Sequence, residues 1–359
     1  MTVQGFVRAR KHQFGRQAVA GTPVAATRAY PFKGVPSVVL NWTDEDIDTG
    51  SIVVTVAPQR GAEDVTAPLT GPFLSYDDAA TLLCAIFGGH ESPSGAGAAK
   101  HWTHEPAAIP PLDPRDLFTY EFGDDVQTDW YQLFDGVLES LEIVGPEGLG
   151  KVTHSETWRF GGWHSTGSTD NPVVGTVPTP SLDVDTNPPI VYGKDMALYI
   201  ADAIAGLGAG QILNALHTFT LTITATYDEK RYYNGDQSFD VDEHALTGYE
   251  VVFSATYAKT DDTVGTGSES DAWMSDDAVD RYIRLKFTSV PFITGSTPYS
   301  WQITMPARYY TRTEGDVGGN TVIVLEAHAF FDPDDADNFI ESLLTNAVDS
   351  ADIGSTPTT

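Results

Sequence analysis

Residues 218–227 read TFTLTITATY, threonine alternating with apolar groups for ten positions. Successive side chains of a strand point to opposite faces, so a period of two buries one face and wets the other. A helix would scatter those threonines around its circumference. The same alternation returns in Tyr249–Ala258 and Arg281–Phe287. Apolar or β-branched runs occur at Ser37–Leu40, Ile52–Val56, Leu117–Phe122, Trp301–Met305 and Thr321–Phe330. Val137–Val144 and Val152–Phe160 flank Gly145–Gly150 as the arms of a hairpin. The chain is therefore expected to be mainly β.

Two segments break this pattern. Ser75 and Asp78 have the spacing of a capping box, Ala79, Leu82, Leu83 and Ile86 share one helical face, and Gly88-Gly89 supplies a left-handed stop. Near the C-terminus, Asp332 or Asp334 is placed to cap a helix whose stripe is Phe339, Ile340, Leu343 and Leu344. Residues 1–35 show little periodicity and read as an N-terminal arm. Residues 90–115 and 259–274 read as loops, and Leu69-Thr70-Gly71-Pro72 as a turn. Ser, Thr, Asp and Pro dominate 165–190, the best linker in the chain. A boundary near 175 divides it into a first β domain, 36–175, and a second, 176–359. The halves echo one another weakly: Leu69-Thr70-Gly71 with Leu246-Thr247-Gly248, Asp77-Asp78-Ala79 with Asp276-Asp277-Ala278, Leu117–Phe122 with Tyr299–Thr304.

Charge narrows the function. The 359 residues carry 50 acids against 20 Lys and Arg, a formal charge of −30. A protein that grips bare nucleic acid needs the opposite sign. Aspartates number 34 and lysines 8, a balance typical of proteins working in very high salt. At about 1 M salt the Debye length falls to ~3 Å and self-repulsion is screened. The charge is also polarised. Residues 1–35 hold Arg8, Arg10, Lys11, Arg16, Arg28 and Lys33 and no acid, whereas 331–359 hold seven acids, among them Asp332, Asp334, Asp335 and Asp337, and no base. A basic and an acidic end can dock head to tail on neighbouring copies, so Arg8, Arg10, Lys11, Arg16, Asp332, Asp334, Asp335 and Asp337 are candidate contacts between assembled subunits. No apolar run has the length of a secretory signal or a membrane span; Asp202 interrupts 196–207, so a soluble product made in the cytoplasm is expected.

The motifs that could carry chemistry fail on inspection. Gly145-Pro-Glu-Gly-Leu-Gly-Lys151-Val152 lacks the hydroxyl of a phosphate loop, and Pro146 and Glu147 oppose phosphate. Gly206-x-Gly208-x-Gly210 lacks the dinucleotide spacing. Asp183-x-Asp185-x-Asn187 meets Pro188 where a calcium loop needs glycine. His101-x-x-His104-Glu105, in the Pro-rich loop, has the wrong spacing for a zinc protease. No serine elbow is present, and no cysteine set exists because Cys84 is alone. No catalytic residue, metal or cofactor is expected, which points to a structural protein.

A family resemblance then emerges. Gln17–Thr27, QAVAGTPVAAT, resembles the N-terminal arm of major tail tube proteins from long-tailed viruses. The order of further segments is similar to that family: Leu69–Pro72, Tyr76-Asp77-Asp78 to Phe87-Gly88-Gly89, Trp102–Pro106, Phe134–Ile143, Met305–Tyr310, and Leu325–His328 onward. The resemblance implies two tandem tail-tube-type β-sandwich or barrel domains, each with a flanking helix, in rings that stack into a tube. It implies trimeric pseudo-hexameric rings, or hexamers, as part of a virion tail. Partners would be the chain itself, tail terminator, baseplate and tape-measure proteins, with double-stranded DNA passing through unbound. An archaeal virus of a salt-loving host would explain the acidity. The alternatives are a β-sandwich adhesin or carbohydrate-binding module, and a β-sandwich hydrolase with two unrecognised carboxylates.

Overall fold

The computed structural model describes residues 10–17, 19–26, 28–43, 59–88, 93–95, 97–106, 116–124, 130–165, 188–207, 211–212, 216–230, 243–259, 280–332, 339–348 and 353. Eighteen strands join in antiparallel pairs into one large sheet, with one α-helix among the described residues.

In the first half, β1 (Arg10–Gln17) pairs with β2 (Arg28–Ala29) and β7 (Leu117–Asp124). Strands β3 (Lys33–Gly34) and β4 (Ser37–Thr43) line β5 (Gln59–Gly71), which pairs on its other side with β9 (Thr153–Phe160). The long β8 (Trp130–Gly145) changes neighbours along its length. Its start pairs with β7 and β10 (Gly162–Ser165), its end with β9.

The second half repeats this plan. Strand β11 (Met196–Ala201) pairs with β12 (Gln211–Ile212) and β15 (Arg281–Thr294). Strand β13 (Leu216–Lys230) pairs with β14 (Glu243–Ala258), and β14 with β17 (Asn320–Ala329). The start of β16 (Thr297–Val317) pairs with β15 and β18 (Glu341–Asn346), its end with β17. Both long strands carry a bulge just past the switch, between Leu138 and Ser140 and between Tyr309 and Thr311. Bulges bend a strand and increase its twist, which lets one strand serve two neighbours.

Two pairings join the halves. The end of β8 takes β13 on its second edge, and β18 takes β6 (Lys100–His104). Helix α1 (Tyr76–Phe87) packs against β8, β13, β6 and β18, where the halves meet. Ser75 Oγ accepts from the Asp78 N–H at 2.9 Å, and Gly88 closes the helix at φ 62°, as the sequence predicts. Every helical residue except Asp77 is buried, so the capped ends and the apolar body both face protein. Trp102, Trp158 and Trp301 lie in one continuous core that spans both halves.

Several expectations are corrected. The sheet is open: its pairings end at outer strands such as β4, β6 and β12 and do not close into a barrel. Among the described residues the helix expected at each half reduces to α1, and the halves are one hydrogen-bonded sheet rather than two separate sandwiches. The expected C-terminal helix is β18. Ser342, Leu344 and Asn346 are buried while Leu343 is 37% exposed, a period of two; Phe339, Ile340, Leu343 and Leu344 also suit a helix, and only two flanking strands decide. Part of the loop at 90–115 is β6, where Trp102 and His104 alternate inward. Residues 10–17 of the presumed arm are a strand in the sheet, and Leu69–Gly71 belongs to β5. The boundary near 175, the Ile52–Val56 run, the calcium-like segment and most of 259–274 lie outside the described residues.

The sequence echoes do not mark the repeat. Leu69–Gly71 ends β5, whereas Leu246–Gly248 lies near the start of β14. Leu117–Phe122 is in β7, whose counterpart is β15, while Tyr299–Thr304 is in β16. Strand pairing is duplicated although side chains at equivalent places differ.

Candidate functional site

Of the charged residues singled out at the two ends, the described ones meet other partners. Arg10 sits over the Phe122 ring at 5.7 Å, and Lys11 is half-buried opposite Gly123. Arg16 is 1% exposed and pairs with Asp116. Asp332 accepts a hydrogen bond from the Tyr282 hydroxyl. Arg8, Asp334, Asp335 and Asp337 lie outside the described residues.

Two of the segments that carry the family resemblance do meet. Asp135 has φ 53°, and its carboxylate accepts from the Gly21 N–H and the Gln17 amide, both at 2.8 Å. Gln17 in turn accepts from the Asp135 N–H at 2.6 Å, and the Val24 N–H donates to the Thr119 hydroxyl at 3.0 Å. Val24 is thereby pinned to β7, and Gln17 and Gly21 to the bend of β8. Gly136 is required beside it, because a Cβ there would lie 2.4 Å from the Phe160 ring.

A group of buried ionisable side chains lies inside the first half. His12 Nδ1 is 2.7 Å from the Tyr120 hydroxyl. Burial, and secondarily the Arg10 charge, lower the His12 pKa to about 4. Burial raises Tyr120 well above its ordinary value and Glu121 to about 6. The Trp158 indole donates to Glu156 at 2.7 Å. His154 Nδ1 lies at the same distance from the other Glu156 oxygen, close enough for charge attraction though outside hydrogen-bond angles. A side chain at Gly71 would strike His154, with a Cβ 1.9 Å from its Nε2. His12, Tyr120 and His154 are packed among Phe14, Phe32 and Phe122, whereas Glu121 is buried beside Gln132. Their contacts are internal: His12 with Tyr120, the Trp158 indole with Glu156, and Glu121 with the Gln132 amide.

Among the described residues, no group of three or more His, Cys, Asp or Glu is placed to hold a metal ion; Cys84 Sγ and His104 Nε2, 3.4 Å apart, form a pair only. The phosphate-loop look-alike is the hairpin turn between β8 and β9, with Gly148 at φ 70°. Gly206 ends a 3₁₀ turn, Ile204–Gly206.

What the surface offers is strand edge. Val35 and Val39, beside and in β4, are 47% and 48% exposed. The β15–β16 hairpin presents Val290 and Phe292, 69% and 56% exposed. Beyond Ala307, β16 runs ten residues further with an exposed, acidic end, Glu314 to Asp316. The sequence reading ended that strand at Met305 and missed this extension; the continuing β-branched and aromatic positions Tyr309, Thr311 and Thr313 were the available signal.

Comparison with protein-family models and with curated proteins gives no match. Among the described residues, no helix is long and apolar enough to cross a membrane.

Proposed function

We propose that this chain is a structural, non-enzymatic subunit that polymerises into the tail tube of a long-tailed virus, the conduit through which double-stranded DNA leaves the particle. One observation carries the reading: the chain already holds two copies of one strand plan joined edge to edge through β8 and β13. A unit that joins to its own repeat can join to the next chain in the same way. The net charge of −30 adds to this, since a conduit for a polyanion should not bind it. Three such chains would present six equivalent halves around a lumen. High salt screens repulsion between acidic subunits and should favour assembly.

A second reading rests on the fold taken without its repeat. An open, mainly β sheet with exposed Phe292, Tyr310 and Phe331 suits a β-sandwich adhesin or carbohydrate-binding module, and the bare architecture supports this more directly than it supports a tube. Negative-stain microscopy of the purified chain at about 1 M salt and above separates the two. Hollow tubes or stacked rings are expected. Dispersed monomers retained on immobilised glycans would establish the second reading instead.

A further inference from the structure

We infer that a second copy of this chain docks its β4 along the outer edge of β16, in the register that β13 and β8 already use within one copy. The inference rests on the self-assembling reading and names the edges that carry it.

The two bulges align the halves. Ser140 is the first paired residue after the β8 bulge, opposite Thr157; Thr311 is the first after the β16 bulge, opposite Glu326. Residues 311–316 of β16 are thus the counterpart of 140–145 of β8. In β8 that stretch has two neighbours, β9 on one edge and β13 on the other, from Thr224 opposite Ser140 to Phe219 opposite Gly145. In β16 it pairs with β17 alone among the described strands, and Thr311, Thr313 and Glu314 are exposed.

The partner strand follows from the same alignment. Trp158 and Ala327 are the last paired residues before the two bulges, and they sit opposite Ala67 in β5 and Phe253 in β14. Two residues back, Val65 pairs with Val38 and Val251 with Ile223. Val38 in β4 is therefore the counterpart of Ile223 in β13. The alignment preserves burial, since Val65, Ala67 and Leu69 map onto Val251, Phe253 and Ala255, all inside. Among the described strands β4 pairs with β5 alone, whereas β13 is covered on both edges.

Transferring the internal register to two copies places Val39 opposite Thr311, Val38 opposite Arg312 and Ser37 opposite Thr313. Gly34 falls opposite Asp316, with the exposed Lys33 beside that acid. An open edge is a template for adding a strand, and a neighbouring chain supplies Ser37–Val39 of β4 with Lys33 of β3 beside Asp316. The contact is head to tail, so it closes into a ring when the rotation between copies permits.

Cysteine pairs test the register. Directly opposite residues have Cβ atoms within about 5.5 Å and diagonal ones about 7–8 Å, and a disulfide needs roughly 3.5–4.5 Å. Val39, Thr311 and Thr313 are exposed, and Cys84 is buried. Under mild oxidation at high salt, the chain carrying Val39→Cys with Thr311→Cys should form covalent multimers at least roughly tenfold faster than the chain carrying Val39→Cys with Thr313→Cys. Assembled particles by microscopy with no excess cross-linking of the first pair would remove this edge assignment and leave the tube reading standing. A chain that stays monomeric at every salt concentration would remove both.

Discussion

Both halves of the sheet tie the same end of an equivalent strand pair with Arg and Asp, but with the charges exchanged. In the first half Arg16 of β1 meets Asp116 beside β7, and the side chains are 1% and 8% exposed. In the second half Asp202 follows β11 and lies 2.7 Å from Arg281 at the start of β15, with Asp202 83% exposed. A tie occurs at this place in both halves, with opposite polarity. The interiors differ as well. The first half buries His12, Glu121, His154 and Glu156 alongside aromatic residues such as Phe14, Phe118 and Trp158, while the second is lined by Leu198, Ile200, Phe219 and Phe287. Topology is repeated, and the means of stabilising it is not.

The largest effect should come from the buried tie. Asp116→Ala leaves Arg16 charged and enclosed, and should cost about 3–5 kcal/mol in chemical denaturation. Asp202→Ala removes a solvated partner and should cost about 1 kcal/mol or less. Equal losses would break the comparison.

The joined and open edges give the next contrast. Ile223 is fully buried where β13 meets β8. Ile223→Ala should destabilise the subunit by about 2–5 kcal/mol. Its counterpart Val38 is only half-buried, so Val38→Ala should cost about 1 kcal/mol in dissociated subunits. A Val38 effect as large as that of Ile223 would mean that the outer edge is already covered within one chain.

Acid should weaken the first half selectively. His12 is neutral in the fold with a pKa of about 4, and free histidine titrates near 6.5. The fold therefore binds fewer protons than the unfolded chain between those values, and stability falls as pH drops from 6.5 to 4, by at most about 3 kcal/mol. Glu121, raised to about 6, opposes this: protonation favours the fold as pH falls from 6 towards 4.5. His12→Asn should flatten the acid limb of a thermal-melt profile, and an unchanged profile would exclude His12 as its source. The smallest effect is at the helix. Ser75→Ala removes the N-cap bond and should cost about 1 kcal/mol, detectable as a lower melting temperature.

Local signals were legible wherever one interaction range sufficed. The threonine alternation gave β13, the capping box and Gly88 gave α1, and the Gly145–Gly150 turn gave the β8–β9 hairpin. Residues 341–346 misled because a short apolar stretch satisfies both periods, and burial between β16 and β6 settles it. The repeat was nearly invisible because backbone pairing, which every residue can make, is what recurs. The candidate contacts at the two ends were chosen by charge, yet Arg16 finds its partner a hundred residues away inside its own half.

By itself the sequence determined the mainly β character, the one described helix, the excess of acid and the lack of a recognisable catalytic motif, all of which depend on composition or on neighbours a few residues apart. Only the tertiary structure decided that the halves form one open sheet, that β8 and β16 bend at matching bulges, and which edges are covered. Those features depend on hydrogen bonds between segments far apart in the chain, and backbone groups carry no residue-specific mark of the partner they will meet.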